Sequence, residues 1–196
     1  MTLPLLLQRV QDAGHAVFDS GPFDLNIIGQ RSTDMESNRF NDALSVVFRD
    51  VAGDWQQRAW AITTDPGQYW RDNPGRRAGV ALLQAGQMRG AFGFGKHKGK
   101  YPCLVQTKAV TVWRPGPSLQ ILPDTPTQTG FFGIQIHKAG RGSRQVDRWS
   151  AGCQVFANAA DFDDAECTVR DDTFMGLCRH QYALHPTWNF TYTLLV

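Results

Sequence analysis

A histidine and a cysteine sixteen residues apart are the side chains in this sequence best suited to chemistry. His137 closes a run that opens with Phe131-Phe132-Gly133, whose interleaved apolar and small residues predict a buried strand. A glycine- and arginine-rich loop follows. Ser150-Ala151-Gly152-Cys153 then leads into the apolar pair Val155-Phe156. An imidazole and a thiol beside two strand-like segments suit nucleophilic catalysis by cysteine. The thiolate is the reactive form, the free thiol titrates near about 8.5, and a neighbouring imidazolium lowers that value. Gly152 lets an incoming carbonyl come close to the backbone, where the N–H groups of Gly152 and Cys153 are placed to receive an oxyanion.

His137, a loop, and then Ser150-x-Gly152-Cys153 resembles the signature of L,D-transpeptidase (YkuD-type) catalytic domains. The order differs from papain-like and NlpC-type cysteine peptidases, in which the cysteine comes first. The short interval differs from that of sortases. The likeness covers about residues 130–156 and departs from the family pattern twice. Val155 stands where an arginine is usual, and Ala151 where many members carry histidine.

The resemblance implies a thioester mechanism on peptidoglycan stem peptides. His137 takes the proton of Cys153, the sulfur attacks the carbonyl before a D-amino acid, and water or an amine resolves the acyl-enzyme. Gly152 and Ser150 complete the expected catalytic set. A backbone carbonyl or Ser150 would orient His137. Arg141, Arg144 and Arg148 are the loop cations able to stand in for the arginine missing at Val155. Substrate contacts are expected from Arg144, Arg148, Trp149 and His97. Neither a metal nor a cofactor is implied.

The elements that must position these groups read as mostly β. The 196 residues suffice for one domain with a sizeable core, and a net charge of +2 gives no reason to expect nucleic acid. No segment is long and apolar enough to span a membrane. The first 19 residues predict an amphipathic helical extension with Leu6, Leu7 and Val10 on its packed face and Gly14 near its end. Strands are expected at 25–29, 43–48, 55–64, 80–85, 103–107, 109–113 and 188–196. The second and third should form a hairpin around Val51-Ala52-Gly53-Asp54. Residues 67–78 and 115–126 read as long loops. The expected fold is β-rich α+β: a mixed-sheet sandwich or open barrel of the L,D-transpeptidase catalytic type, one domain over 1–196.

Other constellations carry less. The stretch from Gly93 to Lys100 is glycine-rich and basic but lacks the ending of a phosphate loop, and reads as a hairpin tip. His97 within it is expected to line the cleft, because the strand beginning near Tyr101 can pair close to the one carrying His137. The carboxylates Asp161, Asp163, Asp164, Glu166, Asp171 and Asp172 lack the spacing of a calcium loop and read as a solvated helix start and turn. His180 and His185 have no zinc partners at sensible spacing. A Cys167–Cys178 bridge is conceivable in an oxidising compartment.

The start of the chain has no basic n-region or cleavage site. The expectation is therefore synthesis in the cytoplasm and action at the cell wall or periplasm after release or secretion. Hydrolysis is the expected outcome, as in phage lysis proteins or delivered antibacterial effectors. Cross-linking or D-amino-acid exchange, and a non-catalytic wall-binding module, are the alternatives. The sequence leaves the oligomeric state open.

Overall fold

A computed structural model describes residues 2–35, 38–163 and 172–196. The helix α1 spans Leu5–Asp12, β1 Asn26–Gln30, β2 Asp42–Arg49 and β3 Trp55–Thr63. The short helix α2 covers Gln68–Asp72, followed by β4 Leu82–Leu83, β5 Gly86–His97, β6 Tyr101–Gln106 and β7 Val110–Trp113. Then come β8 Thr127–Gly130, β9 Gln135–Lys138, β10 Gln154–Phe156, α3 Ala159–Phe162, α4 Phe174–Leu184 and β11 Phe190–Leu195. The protein is mainly β. Eight strands close into a barrel in the order β1-β11-β5-β6-β9-β10-β3-β2, and β4-β7-β8 form a second sheet. The expected sandwich or open barrel is thus a closed one, which leaves none of those eight strands with an unpaired edge.

The barrel is mixed. β1 with β11 and β9 with β10 run parallel, and the other barrel pairs are antiparallel. A parallel return needs a crossover of a dozen or more residues. The loop between β9 and β10 supplies it, which accounts for the interval between His137 and Cys153.

One apolar cluster joins strands all around the barrel with α4 and α3. It includes Ile27, Leu44, Ile62, Leu104, Ile136, Phe156, Phe162, Phe174 and Tyr192. Phe156, Phe162 and Phe174 meet with ring centroids 5.1–5.8 Å apart, separations at which aromatic pairs add to plain burial. Thr173 caps α4, its hydroxyl accepting from the Gly176 N–H at 3.1 Å. A second cluster lies under α1, where Leu6, Leu7 and Val10 pack on Ile28, Val47 and Leu195. These are the helix residues that the 3.6 periodicity selects.

Several sequence expectations change. The run from Phe131 to Ile136 is not one strand. Residues 131–134 are irregular, with Gly133 at φ 73°, and His137 lies inside β9 rather than after a strand. The 67–78 loop contains α2, and the strand at 80–85 shrinks to β4. β5, twelve residues long with glycines at 86, 90, 93 and 95, has little strand character in its sequence. Pairing supplies what propensity does not: β11 lies on one side of it and β6 on the other. The Cys167 of the conceivable bridge, and Asp164, Glu166 and Asp171 of the carboxylate group, lie outside the described residues. Among the described residues no helix is long and apolar enough to cross a membrane.

Leu7 is fully buried beneath α1, on the far side of the sheet from the main core. Leu7→Ala should lower stability by about 2–5 kcal/mol in denaturant titration, the range for an emptied leucine site. A loss under about 1 kcal/mol would show that α1 does not help hold the barrel.

Candidate active site

β9 and β10 place the two reactive side chains. Their parallel register aligns Ile136 with Gln154 and His137 with Val155. Partners across a pair share a face, and so do residues two apart along a strand. Cys153 immediately precedes β10, two residues before Val155, so continuing the strand's alternation puts it on the side of His137, and Lys98 acts electrostatically on both groups. Val155 itself is fully buried, so the position where the family pattern has arginine serves packing here.

The imidazole is held in one tautomer. His137 is 1% exposed, and its Nδ1 lies 3.0 Å from the Lys138 carbonyl oxygen. A carbonyl only accepts, so Nδ1 carries the hydrogen and Nε2 presents a lone pair. The Tyr101 hydroxyl donates to the same carbonyl at 3.1 Å and lies 3.4 Å from His137 Nδ1. Among the described residues, nothing hydrogen-bonds to His137 Nε2. A buried imidazole nitrogen without a partner is an uncommon arrangement. Here it is an unengaged base.

His97 stacks on this ring, with centroids 4.1 Å apart and planes 27° from parallel. Its Nδ1 donates to Gln135 Oε1 at 2.6 Å. The cysteine sulfur sits over the 133–135 backbone, 3.8 Å from the Gly133 carbonyl oxygen, and the Gln135 backbone N–H hydrogen-bonds to the thiol.

Ser150 builds the turn before Cys153. Its hydroxyl donates to the Cys153 carbonyl at 2.8 Å and accepts from the Gly152 N–H at 3.1 Å. Two expectations change as a result. The Gly152 N–H is already engaged and is not an oxyanion donor in this state, which leaves the Cys153 N–H of the expected pair. Ser150 does not orient His137; the Lys138 carbonyl does. Gly152 has a separate reason to be glycine. Its φ is 132°, and a Cβ there would run into the carbonyl oxygen of Ala81.

The electrostatics differ from those of a preformed thiolate–imidazolium pair. Burial, then the neighbouring His97, pushes His137 down to about 4, and the exposed Lys98 at the β5–β6 tip acts in the same direction. Cys153 keeps partial surface exposure, yet desolvation of its thiol pushes it up to about 11, opposed by the Gln135 N–H and by Lys98. Cys103 is pushed up to about 12 by burial and by Cys153. The resting site holds a neutral thiol and a neutral imidazole. The thiol-lowering imidazolium expected from the sequence is absent because the same burial that seats both groups disfavours either charge.

The loop cations lie apart from the sulfur's own contacts. The Arg148 guanidinium stacks 3.9 Å from the Tyr69 ring centroid, and its carbonyl accepts from Trp70 Nε1 at 3.0 Å. Arg144 and Trp149 are exposed, and Trp149 lies beside Gly140. Asn38 clamps this loop, donating to Asp147 Oδ1 at 2.7 Å and accepting from the Asp147 N–H at 2.9 Å. Tyr101, Gln135 and Lys98 were not singled out by the sequence, because only pairing of β6 with β9 and closure of the β5–β6 tip bring them to the thiol.

No protein family, curated protein or solved structure matches this chain. The site therefore stands on its own geometry.

Three outcomes follow from that geometry. Alkylation of Cys153 by iodoacetamide in the ligand-free protein should climb with pH toward a midpoint near 11, with no plateau around neutrality. Such a plateau would instead reveal a resting thiolate. His137 should titrate near 4 by NMR. The unfolded imidazole takes up its proton near about 6.5, so between those values the folded state binds fewer protons. That part of the stability is complete above 6.5 and is lost as pH falls through 4. Gly152→Ala should cost more than about 2 kcal/mol, since both φ and the Ala81 carbonyl oppose a Cβ. A variant of wild-type stability and reactivity would contradict that close approach.

Proposed function

We propose that this protein is a cysteine enzyme acting on peptidoglycan stem peptides, similar to the L,D-transpeptidases, and that it works as a hydrolase. The observation that carries this reading is the shared face of Cys153 and His137, with His137 Nδ1 bound to a backbone carbonyl and Nε2 unengaged. Nucleophile, base and base-orienter are thereby assigned to three groups. The Ser-x-Gly-Cys motif supplies the substrate class.

In this reading proton transfer accompanies attack. As Cys153 Sγ bonds to the substrate carbonyl carbon, its proton passes to His137 Nε2. The oxyanion develops near the Cys153 N–H, a type of contact worth about 3–4 kcal/mol where donors are preorganised. Collapse breaks the C–N bond, and His137 returns the proton to the departing amine. Water then attacks the thioester, gives its proton to His137, and releases the acid while the thiol is restored. The ion pair exists only while negative charge on the reacting groups compensates it, which suits a site that disfavours isolated charge. Partial exposure of Cys153 favours water as the acceptor.

The test is mass spectrometry of disaccharide tetrapeptide after incubation, with and without excess D-methionine. The expected product is the tripeptide, formed with water in both cases. Cys153→Ala and His137→Ala should each reduce turnover by about a thousandfold or more, and the double variant should be little worse than either. Dominant D-methionine exchange would make the protein a transferase. Unchanged substrate under all conditions would remove the catalytic reading and leave a wall-binding module.

A further inference from the structure

Beside the turn that carries the nucleophile lies a groove of about 210 Å³, bounded by Ala151 and by the Val80-Ala81 segment on which Gly152 packs. Two of its lining side chains are arginines, Arg76 and Arg114, and among the described residues no aspartate or glutamate lines it. Arg114 is fixed in place. Its Nε donates to Gln128 Oε1 at 2.9 Å and its Nη1 to the Gly79 carbonyl at 3.2 Å. The guanidinium lies 4.9 Å from the centroid of Phe132, which also lines the groove. Among the described residues no protein group accepts from its Nη2.

Two like charges share this space, with no carboxylate among the described residues that line it. Burial and the Arg76 charge both shift Arg114 downward, the direction an arriving anion would reverse. An arginine that is stacked, anchored by two donors and left with a third is preorganised for a carboxylate.

We propose that Arg114 and Arg76 form an anion subsite that holds a carboxylate of the peptide substrate, within a residue or two of the carbonyl presented to Cys153. Arg114 is the fixed donor. Arg76, exposed on the 73–79 segment, closes over the anion from the other side. The subsite fixes which acidic peptides reach the thiol. It rests on the reading of Cys153 as the nucleophile, and its test is arranged so that the two can fail separately.

The test compares thiol exchange at Cys153 with two disulfide reagents, the anionic dithiobis(nitrobenzoate) and the neutral dithiodipyridine. Signal from other cysteines is removed by subtracting the Cys153→Ala protein. The wild type should favour the anionic reagent. The double variant Arg76→Gln/Arg114→Gln should lose that preference by about tenfold, with its rate toward the neutral reagent within about twofold of wild type. Lys98 stays in every variant, so its general attraction for anions cancels in the comparison.

Arg76→Gln alone, at an exposed position that leaves folding intact, should show part of the loss. An unchanged preference in the single and double variants would overturn the subsite, whatever the protein does to stem peptides. In parallel, hydrolysis of a tetrapeptide should fall on amidation of its carboxylates in the wild type and be indifferent to amidation in the double variant. Retained reagent preference with no hydrolysis of any peptide would leave the subsite standing and remove the peptidase reading. Hydrolysis with no reagent preference, and with acid and amide cleaved alike, would do the reverse.

Discussion

The parallel pairing of β9 with β10 is the constraint on which the rest of this structure depends. Setting His137 against Val155 fixes the face on which Cys153 must appear, and one step of register slip would send the thiol to the opposite side of the sheet. The pair is short, with three aligned positions, and cannot hold its register alone. β6 pins β9 from one side through Leu104 and Ile136, and β3 pins β10 from the other through Ile62 and Phe156. Barrel closure carries that restraint through the remaining barrel strands. The buried bond from the Tyr192 hydroxyl to Gln154 Oε1, at 2.8 Å, ties β10 to β11 across the core.

Burial then sets the chemistry. A site enclosed enough to seat a histidine at 1% exposure disfavours both imidazolium and thiolate, so the resting pair is neutral. The protein compensates with orientation in place of charge. The Lys138 carbonyl selects the tautomer, Tyr101 shares that carbonyl, and His97 stacks on the ring. Lys98 has opposite effects on the two groups, favouring a thiolate and disfavouring an imidazolium. A negative charge near this tip would ease protonation of His137, the reverse of the effect of Lys98.

The crossover loop is built as a strut. Read as sequence it is a glycine- and arginine-rich loop, yet the Arg148 guanidinium lies over the Tyr69 ring, and Asn38 grips the backbone and side chain of Asp147. The Gly67 N–H donates to the Ser150 carbonyl at 2.9 Å, and a Cβ on Gly67 would strike Asp147. These contacts deliver Ser150 to the position where its hydroxyl bridges Gly152 and Cys153. The loop thereby fixes the turn that carries Cys153. The groove arginines, Arg114 at the end of β7 and Arg76 on the 73–79 segment, lie outside this loop.

The sequence by itself determined where His137 and Cys153 stand relative to their loop, the Ser150–Cys153 turn and the amphipathic helix. Each is local: Ser-x-Gly-Cys is four residues long, and the stripe of Leu6, Leu7 and Val10 follows from helical periodicity alone. The β2–β3 hairpin was legible for the same reason, since turn chemistry and alternation lie within one short segment. Tertiary structure decided everything that depends on which strands meet. Strand β5 is invisible to propensity because its glycines gain extended structure only between β6 and β11. Closure of the barrel is a property of eight strands together. The tautomer of His137, the engagement of the Gly152 N–H and the neutral resting pair depend on desolvation and on groups as far apart in the chain as Lys98 and Cys153, which spacing does not encode. Arg114 carries no local signal at all between Trp113 and Pro115. It acquires meaning only because the fold seats Phe132 and Arg76 around the same groove.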